Sequence, residues 1–151
     1  MNDCIFCKIV SGELPSHKIW EDVEHLSFLS IFPNTPGFTV VITKDHYPSD
    51  LFALADEAFT GLVLAARETA RLINRKLEDV GRTGLIIEGM MVDHAHIKLF
   101  PMHGTKGEGW EERLSEGINK YFEKYEGYIS SHNGPAPKMP TCPISLQRFA
   151  N

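Results

Sequence analysis

Phe59, Leu62, Val63, Ala66, Ala70, Ile73 and Leu77 recur at steps of three and four, which predicts one long amphipathic helix from about Asp56 to Leu77 with Asp56 as its N-cap. Ahead of it, short apolar stretches alternate with turn residues. Strands are expected at Lys18–Trp20, His25–Phe32 and Phe38–Thr43, with the turn Pro33-Asn34-Thr35-Pro36-Gly37 between the last two. Beyond the helix, Leu85–Glu88 and Val92–Phe100 read as two further strands across a tight connection at Gly89. Ile5–Val10 reads as one or two helical turns, and Trp110–Tyr125 as a second, C-terminal amphipathic helix. Short strands with one long helix make this an α+β chain.

Length and charge narrow the picture. A chain of 151 residues suits one domain that buries roughly 68–70% of its unfolded surface. The domain is expected over residues 1–127. The density of Gly, Pro and Ser beyond Gly127 suggests an extended tail over 128–151, in which Ile144, Leu146 and Phe149 are apolar enough to dock. A net charge of -5 argues against nucleic acid and acidic membrane surfaces as partners. No apolar run reaches the roughly 20 residues that span a bilayer. No basic segment followed by an apolar stretch opens the sequence, and three cysteines form no even framework. A reducing cytoplasm is therefore the expected compartment.

Two clusters carry candidate chemistry. In Val92-Asp93-His94-Ala95-His96-Ile97-Lys98-Leu99-Phe100-Pro101, strand alternation sets His94, His96 and Lys98 side by side, with Ala95, Ile97 and Leu99 facing the core. Imidazoles beside a fixed cation can attack a phosphorus centre and hold its oxygens. A bare H-x-H pattern is also what a solvated polar strand face looks like. The second cluster opens with Cys4-Ile5-Phe6-Cys7, two thiols offered to one tetrahedral metal from a single turn. Two more ligands are needed, and His46 and His94 are the best placed, which favours zinc. A thioredoxin-like redox pair would need a strand before Cys4, where only three residues stand. Two ordinary buried thiols are the remaining reading.

With these residues in view, the sequence resembles the histidine-triad family of nucleotide-binding proteins. The likeness runs from Cys4 to about His103. It is carried by Cys4-Ile5-Phe6-Cys7-Lys8-Ile9-Val10-Ser11-Gly12-Glu13-Leu14-Pro15-Ser16, by Trp20-Glu21-Asp22 and Phe28-Leu29, by Gly37-Phe38-Thr39-Val40-Val41-Ile42 with Lys44 and His46, and by His94-x-His96-x-Lys98-Leu-Phe-Pro101. The resemblance implies an antiparallel sheet of about five strands with a long helix, paired into a homodimer. It implies cleavage at the α-phosphate of a nucleoside phosphoramidate or dinucleoside polyphosphate, with a purine nucleotide or related phosphate as ligand. In that pattern His96 is the nucleophile and forms a covalent nucleotidyl intermediate. His94 completes a zinc site with Cys4, Cys7 and His46.

The sequence departs from the family pattern at several positions. Lys98 replaces the third histidine, where it can bind phosphate oxygens as a point charge and disfavour protonation of His96. Ser30 stands where the family has an acidic or amide residue for the ribose, and Phe38 where it has a nucleotide-contacting histidine. Gly89-Met90-Met91-Val92 replaces Gly-Gln-Ser/Thr-Val. Ser30, Phe38, Met91, Lys98 and His103 are accordingly the expected nucleotide-contacting positions. A nucleotidyl hydrolase or transferase is the first reading. A non-catalytic nucleotide- or partner-binding module built on structural zinc is the second.

Overall fold

A computed structural model describes residues 3–107. The expected helix at Trp110–Tyr125 and the tail from 128 lie outside the described residues.

The described chain runs α1 (Ile5–Val10), β1 (His17–Glu21), β2 (His25–Leu29), β3 (Thr39–Thr43), a single 3-10 turn (Leu51–Ala53), α2 (Asp56–Lys76), β4 (Val80–Ile86) and β5 (His96–His103). The five strands form one sheet in the order β1-β2-β3-β5-β4, and every neighbouring pair is antiparallel. β5 thus lies in the interior of the sheet, with Ile42 opposite His96 and Val40 opposite Lys98.

The two faces of the sheet bury different things. On one, Leu62, Ala65, Ala66 and Ile73 of α2 pack with Val41, Ala95, Ile97 and Leu99. Leu62, Ala66 and Ile73, with Ala95, Ile97 and Leu99, are positions that the periodicity picks out, and Ala65 and Val41 join them. Thr69 is buried within this layer and donates to the Ser27 hydroxyl, which donates onward to the Trp20 carbonyl. That chain satisfies two hydroxyls that would otherwise be costly to bury. On the other face, Phe6 of α1 covers Leu26, Phe28, Val40 and Ile42, with Ile9 and Val10 alongside. A six-residue helix has little stability of its own, so this apolar contact is what seats α1.

Several boundaries shift from the expected ones. α2 is N-capped by Ala55, with Asp56 and Glu57 in its first turn, where carboxylates meet the positive end of the helix dipole. β2 stops at Leu29, and Ile31 and Phe32 are exposed in the loop ahead of Pro33. β4 begins at Val80 rather than Leu85. Gly81 and Gly84 interrupt its apolar pattern, and glycine weakens any strand signal. Val92–Ala95 is not strand: His94 N–H bonds the Val92 carbonyl and Ala95 N–H bonds Tyr47 of the β3–α2 connection. The link from β4 to β5 is therefore an irregular segment over 87–95.

Candidate active site and metal centre

The irregular segment before β5 turns His94 out of the strand and toward the end of β3. There it meets the start of α1. Cys4 Sγ lies 3.4 Å and Cys7 Sγ 3.6 Å from His94 Nδ1, and Cys7 Sγ lies 3.3 Å from His46 Nδ1. The four ligand atoms fall within 4.8 Å of one another. With zinc–sulfur bonds near 2.3 Å and zinc–nitrogen bonds near 2.1 Å, the S···N edge of a tetrahedral site is about 3.6 Å. The donor set and its spacing fit such a site.

Hydrogen bonding fixes the roles of the His94 ring. Nε2 donates to the Thr43 carbonyl at 2.8 Å, with the Thr43 hydroxyl at 3.3 Å. Nδ1 is then the unprotonated nitrogen, and it points at the thiols. Burial, helped by the charges of His46 and His96, holds the His94 pKa below the usual imidazole range, so the neutral ligand form prevails. Burial and the neighbouring Cys4 raise the Cys7 thiol. Cys7 is thus held toward its thiol form, whereas a bound cation would favour the thiolate.

His96 opens β5 two residues later and is only 2% exposed. Its Nδ1 donates to the His94 carbonyl at 2.7 Å. Among the described residues nothing bonds its Nε2, which is left as the nitrogen with a free lone pair. The Phe6 ring meets both imidazoles edge-on, at 5.7 Å from His94 and 5.5 Å from His96. One aromatic side chain of α1 thus joins the metal cluster to the candidate nucleophile.

A family model for the HIT domain matches residues 11–105. The chain belongs to the HIT family. The protein hit of Bacillus subtilis is 37% identical over 112 residues, which is 72% of this chain and 76% of that one. An adenosine 5'-monophosphoramidase of Schizosaccharomyces pombe is 32% identical over 110 residues, 71% of this chain and 82% of that one. A Zn-bound histidine triad family protein from Mycobacterium smegmatis matches in structure with a TM-score of 0.63 at 29% identity, over 76% of this chain and 84% of that chain.

The other expected contact positions of this HIT chain fall into two groups. Phe38 and Phe100 meet edge-to-face at 6.3 Å, on the sheet face that carries His96 and Lys98. Ser30 follows β2 beside them, and its hydroxyl accepts the Phe32 N–H while its own N–H bonds the Phe38 carbonyl. His103 and Met91 stand apart. β5 continues as strand through His103, so alternation sends that side chain to the α2 side instead of the His96 pocket. There Nδ1 bonds Asp79 at 2.9 Å and Nε2 bonds the Pro36 carbonyl at 2.9 Å. Met91 is 95% exposed at a positive φ of 78°, and no wall of the His96 site is built from it.

Lys98 does share a face with His96, and burial lowers its pKa. Its ammonium, however, already donates to Glu88. The sequence reading does not single out Glu88. The signal that finds it is the strand register, in which Ile86 pairs with Lys98, and that register depends on where β4 begins.

Proposed function

We propose that the chain is a nucleotidyl hydrolase or transferase that works through a covalent intermediate on His96. The observation that carries this reading is the 2.7 Å bond from His96 Nδ1 to the His94 carbonyl. It holds the ring in one orientation and leaves Nε2 unprotonated, as a nucleophile requires. Nε2 attacks the α-phosphorus, the N–P bond forms, and the bond from phosphorus to the leaving group breaks. The leaving group departs with its electron pair and takes up a proton. Water then cleaves the N–P bond, releasing nucleoside monophosphate and restoring the imidazole. Lys98 contributes a positive charge near the phosphoryl oxygens. The adenosine 5'-monophosphoramidase among the relatives supports a phosphoramidate or related substrate.

Cys4, Cys7, His46 and His94 would hold a zinc ion, as the Zn-bound relative supports. Four protein ligands leave no open position, so the ion would supply structural cross-linking of α1, the end of β3 and the segment before β5. Among the described residues no helix is long and apolar enough to cross a membrane. Thiol ligands need reduced cysteines, which suits the cytoplasm. A homodimer is also part of this reading. Leu64 on α2 and Leu85 on β4 are 43% and 45% exposed, and light scattering should give twice 17.0 kDa.

The binding-module reading draws on one specific observation, the engagement of Lys98 by Glu88. Incubation with adenosine 5'-phosphoramidate separates the two. Release of AMP that disappears in His96→Asn supports the enzyme, whereas saturable binding without release supports the module.

A further inference from the structure

We propose that Glu88 is a specificity-determining residue: by neutralising Lys98 it makes the His96 face select singly charged phosphoryl groups over multiply charged ones. The inference rests on the reading of that face as a nucleotide phosphate site.

β5 sends four side chains to this face, those of His96, Lys98, Phe100 and Met102, and Lys98 is the only fixed cation among them. Its Nζ donates to Glu88 Oε1, and the two side chains are 20% and 18% exposed. A carboxylate withdrawn from water to this degree is strongly disfavoured without its partner. A ligand that took Lys98 for itself would strand Glu88. A ligand that shared Lys98 would sit beside a negative charge. An ammonium has three donors and Glu88 uses one, so a phosphoryl group with a single charge can share it. Each additional negative charge meets repulsion from Glu88, and β5 offers no second fixed cation. Arg82 of β4, opposite Met102, stands four strand positions from the Ile86–Lys98 pair, roughly 13 Å away at about 3.3 Å per residue.

The backbone keeps the carboxylate where it is. Ile86 is the last β4 residue paired with β5, opposite Lys98, and two residues on Glu88 accepts from that same lysine. Gly89 follows with a positive φ of 65°, and a Cβ there would lie 2.6 Å from the Ser49 carbonyl oxygen. The same Ser49 donates its N–H to Asp93 at 2.9 Å. The loop thus passes close against the β3–α2 connection at Gly89 and is hydrogen-bonded to it at Asp93. Glu88 is a built element of the site, unlike a solvated surface acid. Burial also works against the charge on Lys98 and lowers its pKa.

The test titrates the full chain with adenosine, the methyl ester of AMP (one charge), ADP and inorganic pyrophosphate, following affinity by calorimetry. Wild type should bind the methyl ester at least as tightly as ADP. Glu88→Gln keeps the shape and removes the charge. It should tighten ADP and pyrophosphate about tenfold, equivalent to about 1.4 kcal/mol, and leave adenosine unchanged. Glu88→Asp should keep the wild-type ranking. The gain should vanish in Glu88→Gln combined with Lys98→Met, which a purely structural or long-range charge effect would not produce. Unchanged or weaker ADP and pyrophosphate binding in Glu88→Gln overturns the proposal. So does an equal gain without Lys98, or no binding of any probe to any variant. Should Glu88→Gln fail to fold, a wild type that prefers ADP to the methyl ester overturns it alone. A pyrophosphate gain with no nucleotide binding keeps Glu88's role and removes the nucleotide reading. Nucleotide binding indifferent to Glu88 does the reverse.

Discussion

His94 Nε2 lies 2.8 Å from the Thr43 carbonyl oxygen, and its Nδ1 therefore faces the thiols of Cys4 and Cys7 with a free lone pair. Two consequences follow from this pairing. The ligand tautomer is set by the backbone of β3, before any metal arrives. And the His94 carbonyl, held by the same segment, is the acceptor that orients His96. Metal cluster and candidate nucleophile thus share one piece of chain.

Metal analysis of freshly purified protein should find one zinc per chain, lost in Cys7→Ser and in His46→Ala. Structural zinc contributes roughly 10–16 kcal/mol in small finger peptides, comparable to the whole margin of roughly 5–15 kcal/mol for a domain. This domain has an apolar layer of its own under α2. Chelation should therefore lower the melting temperature markedly while the sheet persists. Zinc-free protein whose melting ignores chelator would contradict the assignment.

The pairing of His103 with Asp79 gives the stability a defined pH dependence. The Pro36 carbonyl and then the Asp79 carboxylate raise the His103 pKa, and the His103 ring lowers that of Asp79. A raised histidine stabilises fully below its unfolded value and loses that contribution as pH rises through its folded value. A lowered aspartate stabilises above its unfolded value and loses the contribution as pH falls. Both contributions are present together between about pH 4 and 6.5. Melting curves of wild type and His103→Gln should differ most near pH 5.5 and converge above neutrality. The pair is exposed, so the difference should shrink in high salt. A gap that widens at alkaline pH would refute this.

Gly89→Ala should destabilise the fold. The residue has a positive φ, and the added methyl would meet the Ser49 carbonyl at 2.6 Å. Such strained backbone costs roughly 1–3 kcal/mol, and relief would require the loop that carries Glu88 to move. Urea denaturation measures the loss, and an unchanged midpoint would show that the loop is not pinned as described.

How far the sequence discloses this molecule can be judged residue by residue. The α2 face is legible because Leu62, Ala66 and Ile73 follow one period and pack as that period requires. The Cys4, Cys7, His46 and His94 grouping is legible because ligand chemistry restricts the choice to a few residue types. β4 is not, since Gly81 and Gly84 erase alternation and its register comes from pairing with β5. From that error follow two others. A hairpin at Gly89 hides the irregular course of Val92–Ala95, and it hides the meeting of Glu88 with Lys98. Distance along the chain puts His103 within reach of the pocket, whereas its facing depends on whether β5 continues as strand beyond Pro101.

In the proposed reaction His96 Nε2, left bare by the bond from Nδ1 to the His94 carbonyl, forms a bond to phosphorus. Intact-mass spectrometry of the chain, quenched in the first turnovers with adenosine 5'-phosphoramidate or a diadenosine polyphosphate, tests it most directly. Wild type should give a species heavier by one adenylyl group, absent in His96→Asn, whose zinc content and melting temperature stay close to wild type. An adduct of the same mass on His96→Asn, or AMP release that survives the substitution, would contradict it.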